Sequence, residues 1–228
     1  MSCLIGYDIG AAIAAGLVTK FHTTHPLRFS KLCLLSPVGL VDDAYCFKGR
    51  DTFKLPVMGE LYMKLMGKTT FVANEVASTY FRREENQCHY RAICKANRML
   101  EYQWDNTPGY RGALISTFRH FSLSSLSELY RSIGRQNHGR TSVCVIVGKR
   151  DALLPSLGEA ENEIHEIFNC HDVTDSRFEA VDLNASGKRN SGNRVVCLEN
   201  CGHHVVFEDF EEVVELLIQH IGHCAGNR

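Results

Sequence analysis

Residues 2–18 constrain the fold more than any other part of the sequence. A short apolar segment, 2–5, runs straight into Gly6-Tyr7-Asp8-Ile9-Gly10, and then into Ala11-Ala12-Ile13-Ala14-Ala15-Gly16-Leu17-Val18. The pattern predicts a strand, a tight turn and a buried helix. Because that helix is alanine-rich and apolar all round, it has to lie between a sheet and something else. It should end around 23–26, since Pro26 forbids continuation.

Three further apolar runs have strand texture. Lys31-Leu32-Cys33-Leu34-Leu35 is closed by Ser36-Pro37, and similar runs occupy 142–148 and 194–198. From about 43 to 136 the texture changes to amphipathic, aromatic-rich stretches, which predict helices at 72–81, 114–121 and 123–130. A helix is expected at 157–168, with Glu159, Glu161 and Glu163 favourably placed in its first turns. The last helix is expected at 208–221, where Val213, Leu216, Leu217 and Ile221 recur at helical spacing. The polar stretch 184–193 reads as an exposed insertion loop. Strands alternating with helices imply an α/β fold with a mostly parallel sheet, whose reactive groups sit on loops at the carboxyl ends of the strands. On this reading 1–42 and 141–228 form the core, and 43–140 is a helical cap inserted over that edge.

Composition narrows the class. The chain has 228 residues, 44% of them hydrophobic, enough to bury a core. Lys plus Arg number 25 against 26 Asp plus Glu, so the basic footprint of a nucleic-acid binder is missing. Ten cysteines without a single C-x-x-C pair are too few for a disulfide scaffold and favour a reducing, cytoplasmic compartment. No apolar run reaches the roughly 18 residues of a membrane span. Asp8 interrupts the first one and no Lys or Arg precedes it, so it does not read as a signal peptide.

Three segments each end a predicted strand with a reactive residue: Gly6-Tyr7-Asp8-Ile9-Gly10, then Gly148-Lys149-Arg150-Asp151-Ala152-Leu153-Leu154-Pro155, then Asn200-Cys201-Gly202-His203-His204. In the order nucleophile, acid, histidine, each followed by a helix, they resemble the α/β-hydrolase superfamily. Leu34-Leu35-Ser36-Pro37-Val38-Gly39-Leu40 is similar to the segment after that family's sixth strand, and the stretch from Gly202-His203 to Phe207-Glu208-Asp209 to its histidine loop. The resemblance covers the chain from the elbow onward, with the middle block in the place of the cap.

The resemblance implies a triad of Asp8, Asp151 and His203. Most members place serine in G-x-S-x-G, whereas Asp8 at this position matches the epoxide hydrolases and haloalkane dehalogenases. A carboxylate attacking an ester would give an anhydride with little driving force. On an epoxide or alkyl halide it displaces at carbon and leaves an alkyl-enzyme ester. Water activated by His203, oriented by Asp151, would hydrolyse that ester, with the Ile9 backbone N–H as one oxyanion donor. Dehalogenases usually carry tryptophan after the nucleophile, but here it is Ile9, and the one tryptophan is Trp104. Epoxide hydrolases use cap tyrosines to protonate the leaving alkoxide, and the block offers Tyr62, Tyr80, Tyr90, Tyr102, Tyr110 and Tyr130. The cap segments 55–61 and 113–121 are closer to serine-type lipases and esterases such as monoacylglycerol lipases.

The expectation is therefore a hydrolase for a small or lipid-like apolar substrate, needing no metal or organic cofactor. The alternative is a lipase or esterase relative that has lost its serine and serves as a non-catalytic binding protein. The resemblance also implies about four strands before the elbow and a His-Gly loop supplying the second oxyanion donor, none of which this sequence contains. That predicts an open sheet edge beside Asp8, a fragment or truncated chain, and poor solubility or activity in isolation.

Each candidate also has a plainer role. Asp8 alone would be a turn or N-cap aspartate, and Asp151 a loop aspartate. Asp42 and Asp43 are reserve positions for the acid, and His204 is the alternative to His203. Cys197, Cys201, His203 and His204, with His165, Cys170 and His171, fit no standard zinc spacing. The remaining cysteines read as small core hydrophobes.

Overall fold

The four apolar runs become parallel strands of one sheet: β1 (Ser2–Tyr7), β2 (Phe29–Leu35), β3 (Ser142–Gly148) and, after a two-residue strand β4 (Val173–Thr174), β5 (Arg194–Leu198). The computed structural model describes residues 2–21, 29–40, 55, 57–68, 87–120, 126–136, 141–151, 164, 166–168, 173–174 and 193–222. Strand order is β1-β2-β3-β5-β4, with Tyr7 beside Leu35, Leu35 beside Ile146 and Ile146 beside Val196. β4 was not foreseen, because two residues are too few to carry an alternating pattern. β1 is an edge strand of this sheet, and Ile5 on it is 47% exposed.

Strict alternation along the strands builds two cores. On one face Leu32, Leu34, Val143, Val145, Val147 and Val195 pack with α1 (Ile9–Phe21), while Cys33, Leu35, Cys144, Ile146, Val196 and Leu198 on the other meet Val213 and Leu216. These last two lie on α7 (Phe210–Gly222). Each fully buried aliphatic side chain contributes about 1.5–3 kcal/mol. In α1 the alanines at 11, 12, 14 and 15 and Val18 are buried, and their small size lets the helix axis approach the sheet. α1 lies between the sheet and the helix over Ser127–Gln136, as expected, while Ile13 and Leu17 on its outer side stay 56% and 37% exposed.

Between β2 and β3 lie α2 (Met58–Leu65), α3 (Gln87–Asn106), α4 (Tyr110–His120) and α5 (Ser127–Gln136). Met63, Trp104 and Ile115 form a small separate core joining α2, α3 and α4. α5 departs from the expected division at residue 140. Its Tyr130 and Ile133 belong to the α1 face of the main core, and the Tyr130 hydroxyl donates to the Val38 carbonyl at 2.9 Å. Periodicity reveals that a helix has an apolar face but not which layer that face joins. The expected helix at 72–81 lies outside the described residues. Of 157–168, the described Ile164, Glu166, Ile167 and Phe168 are helical, with the three apolar ones buried in the main core. Of the 184–193 loop only Asn193 is described, and its side chain bridges the Val143 N–H and the Phe168 carbonyl. No helix among the described residues is long and apolar enough to cross a membrane.

Candidate active site

The turns leaving β1, β3 and β5 at their carboxyl ends are tied to one another through the backbone. At the first, Asp8 adopts φ 54°, a left-handed conformation rare for a residue with a Cβ. Its N–H donates to the Leu35 carbonyl at 3.0 Å, and its own carbonyl accepts the Ala11 N–H at 3.0 Å. This sharp strand-to-helix turn leaves the Asp8 side chain 36% exposed. Gly6 is what makes room for it, since a Cβ there would stand 2.5 Å from the Ala11 Cα and the Gly10 carbonyl oxygen. At Gly10, by contrast, a Cβ would meet nothing within 4 Å.

At the second turn, Lys149 N–H donates to the Leu198 carbonyl and Arg150 N–H to the Cys201 carbonyl, both at 2.9 Å. A Cβ on Gly148 would collide with the carbonyl oxygens of Cys201 and Gly202, so glycine lets the acid and histidine loops touch. Asp151 then reaches His203, its Oδ2 lying 2.8 Å from Nδ1, with both side chains 3% exposed. On the other side of the ring, Nε2 stands 3.3 Å from Asp8 Oδ1. The structure thus brings Asp8, Asp151 and His203 together, with the imidazole between two carboxylates.

Burial alone would lower the His203 pKa, but the hydrogen bonds its ring donates to Asp151 and Asp8, and their charges, outweigh it and raise it to about 9. The next residue is driven the other way. Burial and the neighbouring His203 charge lower His204 to about 4. Its Nδ1 accepts the Tyr7 hydroxyl, and its ring meets that of His203 edge-on at 5.4 Å between centroids. Burial, then the charges of Asp8, Glu208 and Asp151, push the Tyr7 phenol well above its ordinary range.

Ile9 begins α1, where helix geometry leaves early N–H groups without intrahelical acceptors. Trp104 lies in the small core that joins α2, α3 and α4. Among the candidate tyrosines, Tyr130 is fully buried with its hydroxyl on Val38, Tyr110 packs edge-on against Trp104, Tyr62 borders the same cluster and Tyr102 is 66% exposed. Tyr80, the Tyr90 side chain, Asp42 and Asp43 lie outside the described residues, as do His165, Cys170 and His171. Cys197 and Cys201 fall in cores on opposite faces of the sheet. No group of three or more potential ligands is arrayed for a metal among the described residues.

Sequence reasoning missed two contributors. Both carboxylate oxygens of buried Glu208 lie 3.0 Å from the Gly202 N–H, which the glutamate accepts just before His203. Tyr7 contacts His204 across 197 residues. Six positions after Gly202, Glu208 reads in the sequence as the start of the last helix and the end of the stretch similar to the histidine loop, with nothing to mark it as a hydrogen-bond acceptor.

No protein-family model matches the sequence, and no curated protein matches it. Solved structures do match. An esterase from Thermogutta terrifontis superposes with a TM-score of 0.63 at 15% identity, over 97% of this chain and 64% of the esterase. A haloalkane dehalogenase from Agrobacterium tumefaciens C58 gives 0.60 at 15% identity, over 96% and 66% respectively. A meta-cleavage product hydrolase from Pseudomonas fluorescens IP01 gives 0.56 at 12%, over 96% and 64%. The chain has the α/β-hydrolase fold. It spans less than two thirds of the length of each of these proteins.

Proposed function

We propose that the chain acts as a hydrolase on a small or lipid-like apolar substrate, with Asp8 as nucleophile, His203 as proton carrier and Asp151 as its orienting acid. Epoxide opening is the chemistry that suits a carboxylate at this turn. The observation that carries the reading is the His203 ring held between Asp151 at 2.8 Å and Asp8 at 3.3 Å.

Proton accounting supports it. With its pKa near 9, His203 rests as an imidazolium facing Asp8 at neutral pH. Attack of Asp8 on the epoxide carbon forms a C–O bond and breaks the ring C–O bond, and the resulting alkoxide takes the imidazolium proton. Esterification removes the Asp8 charge, one of the two anions that held that proton. Neutral His203 is then a competent base: it takes a proton from water, and hydroxide adds to the ester carbonyl with the Ile9 N–H facing the oxyanion. Collapse expels the diol oxygen, which is protonated from His203, and the acid left on Asp8 returns a proton to the ring. The six described cysteines are all free thiols, which suits the reducing, cytoplasmic setting we assign.

Single turnover of an epoxide in ¹⁸O-labelled water, followed by digestion, tests the route. Label in the Asp8 peptide is expected, and His203→Ala should accumulate the ester. An unlabelled peptide, with esterase activity emerging only in Asp8→Ser, would instead establish a lipase or esterase descendant without catalysis of its own.

A further inference from the structure

The turn carrying His203 is tied on both sides. Upstream, the Cys201 carbonyl accepts the Arg150 N–H at 2.9 Å, and the Gly202 N–H points between the two carboxylate oxygens of Glu208. Downstream, the His204 carbonyl accepts the N–H groups of Phe207 at 2.8 Å and Glu208 at 3.0 Å, within α6 (Val205–Glu208). Glu208 is only 7% exposed. Burying a carboxylate is costly, so a buried one with both oxygens on a backbone N–H is expected to fix that segment. The segment in question ends at the imidazole.

We infer that Glu208 is a positioning residue for His203: by accepting the Gly202 N–H it closes residues 202–208 into a clasp that holds the imidazole between Asp151 and Asp8. Gly148 completes the device from the neighbouring loop, because its missing Cβ admits the Cys201 and Gly202 carbonyls. The cap helix α3 packs against α6, so the clasp also lies where the cap meets the histidine loop. The groups facing His203 are Asp8 from the β1–α1 turn, Asp151 from the loop after β3, and His204 beside it. Opening the clasp by about 1 Å would break the Nε2 contact first, since at 3.3 Å it is the longer of the two.

The inference rests on the proposed role of His203, but its test reads the ring directly and needs no turnover. The His203 imidazole is titrated by NMR in the full chain, alongside Glu208→Gln, Glu208→Ala and Glu208→Asp, with circular dichroism checking the fold. The unaltered ring should titrate near 9. Glutamine keeps a carbonyl oxygen for the Gly202 N–H and should stay within about half a unit of that value. Alanine should lower it by one unit or more, as contact with Asp8 is lost. Aspartate retains the charge but falls short of Gly202, so it should behave like alanine, and it carries the test if alanine prevents folding. An alanine or aspartate variant titrating as the unaltered chain does overturns the clasp. So does a glutamine variant that falls as far as alanine, which would assign the effect to charge. Absence of epoxide turnover with the expected titration pattern overturns the proposed chemistry and leaves the clasp standing.

Discussion

The carboxyl edge of the sheet and the cap are held by different physics. At the edge, every reactive side chain hangs from a turn bound by backbone hydrogen bonds to its neighbour: Asp8 to Leu35, Ser36 to Ile146, Arg150 to Cys201. In the cap, Met63, Trp104 and Ile115 form a small cluster, and solvent-facing ion pairs such as Lys68–Asp105 and Arg119–Glu60 link the helices from outside. Met58, Leu61 and Leu65 on α2 remain 48%, 46% and 68% exposed. Backbone bonds fix the position of a turn whatever side chain it carries, so the edge can hold chemistry rigidly. Among the described residues, α2–α4 rest instead on an apolar cluster and on side-chain pairs at the surface.

The sharpest way to break the comparison is at Asp8. Asp8→Asn keeps shape and removes the proposed nucleophile, so turnover should fall by about 10³-fold or more while circular dichroism shows the fold retained. A comparable fall from any single substitution in the α2–α4 cluster would show that the cap shares in the chemistry.

Next come the glycines. Gly148→Ala drives a methyl into the carbonyls of Cys201 and Gly202 and should destabilise by about 3 kcal/mol or more, read from chemical denaturation. Gly6→Ala should act similarly through Ala11 and Gly10. Gly10→Ala, in open space on the first turn of α1, should be neutral or stabilise by up to about 1 kcal/mol. Equal losses at Gly6 and Gly10 would mean that the turn, rather than a specific approach, sets the need for glycine.

The histidine pair gives the edge a pH signature of its own. His203 has a folded pKa raised from 6.5 to about 9, so its stabilisation is complete below 6.5 and disappears as pH rises through 9. His204 is lowered from 6.5 to about 4, so its stabilisation is complete above 6.5 and disappears as pH falls through 4. Each is worth about 3 kcal/mol at most. Their sum is a dome with its top near pH 6.5. Asp8→Asn should flatten the alkaline side, where one anion holding the imidazolium is gone.

The sheet was legible because its signal is local. The runs at 142–148 and 194–198 coincide with β3 and β5, since strands buried on both faces must be apolar throughout. The convergence of positions 8, 151 and 203 was legible only through motif order, because nothing in periodicity brings residues 195 apart into contact. Glu208 was illegible for a different reason: its partner is a backbone N–H, and a backbone N–H leaves no mark on the sequence. α5 was assigned to the cap because an amphipathic helix states its period and not its neighbour, and Tyr130 bonds to Val38 through a carbonyl any residue would offer.

The smallest effect is expected where the cap looks best fastened. Lys68 Nζ lies 3.0 and 2.7 Å from the two Asp105 oxygens, a close bidentate pair, yet the two side chains are 54% and 50% exposed. In water at that exposure, attraction is screened and is offset by the entropy of holding a lysine in one rotamer, leaving about 0.5 kcal/mol. A double-mutant cycle with Lys68→Ala and Asp105→Ala should therefore return a coupling energy of that size, vanishing at 1 M salt. A coupling above about 2 kcal/mol that survives salt would mean the pair is shielded when the cap is in place. Those helices would then be fastened as firmly as the sheet edge, and the contrast between the two regions would fail.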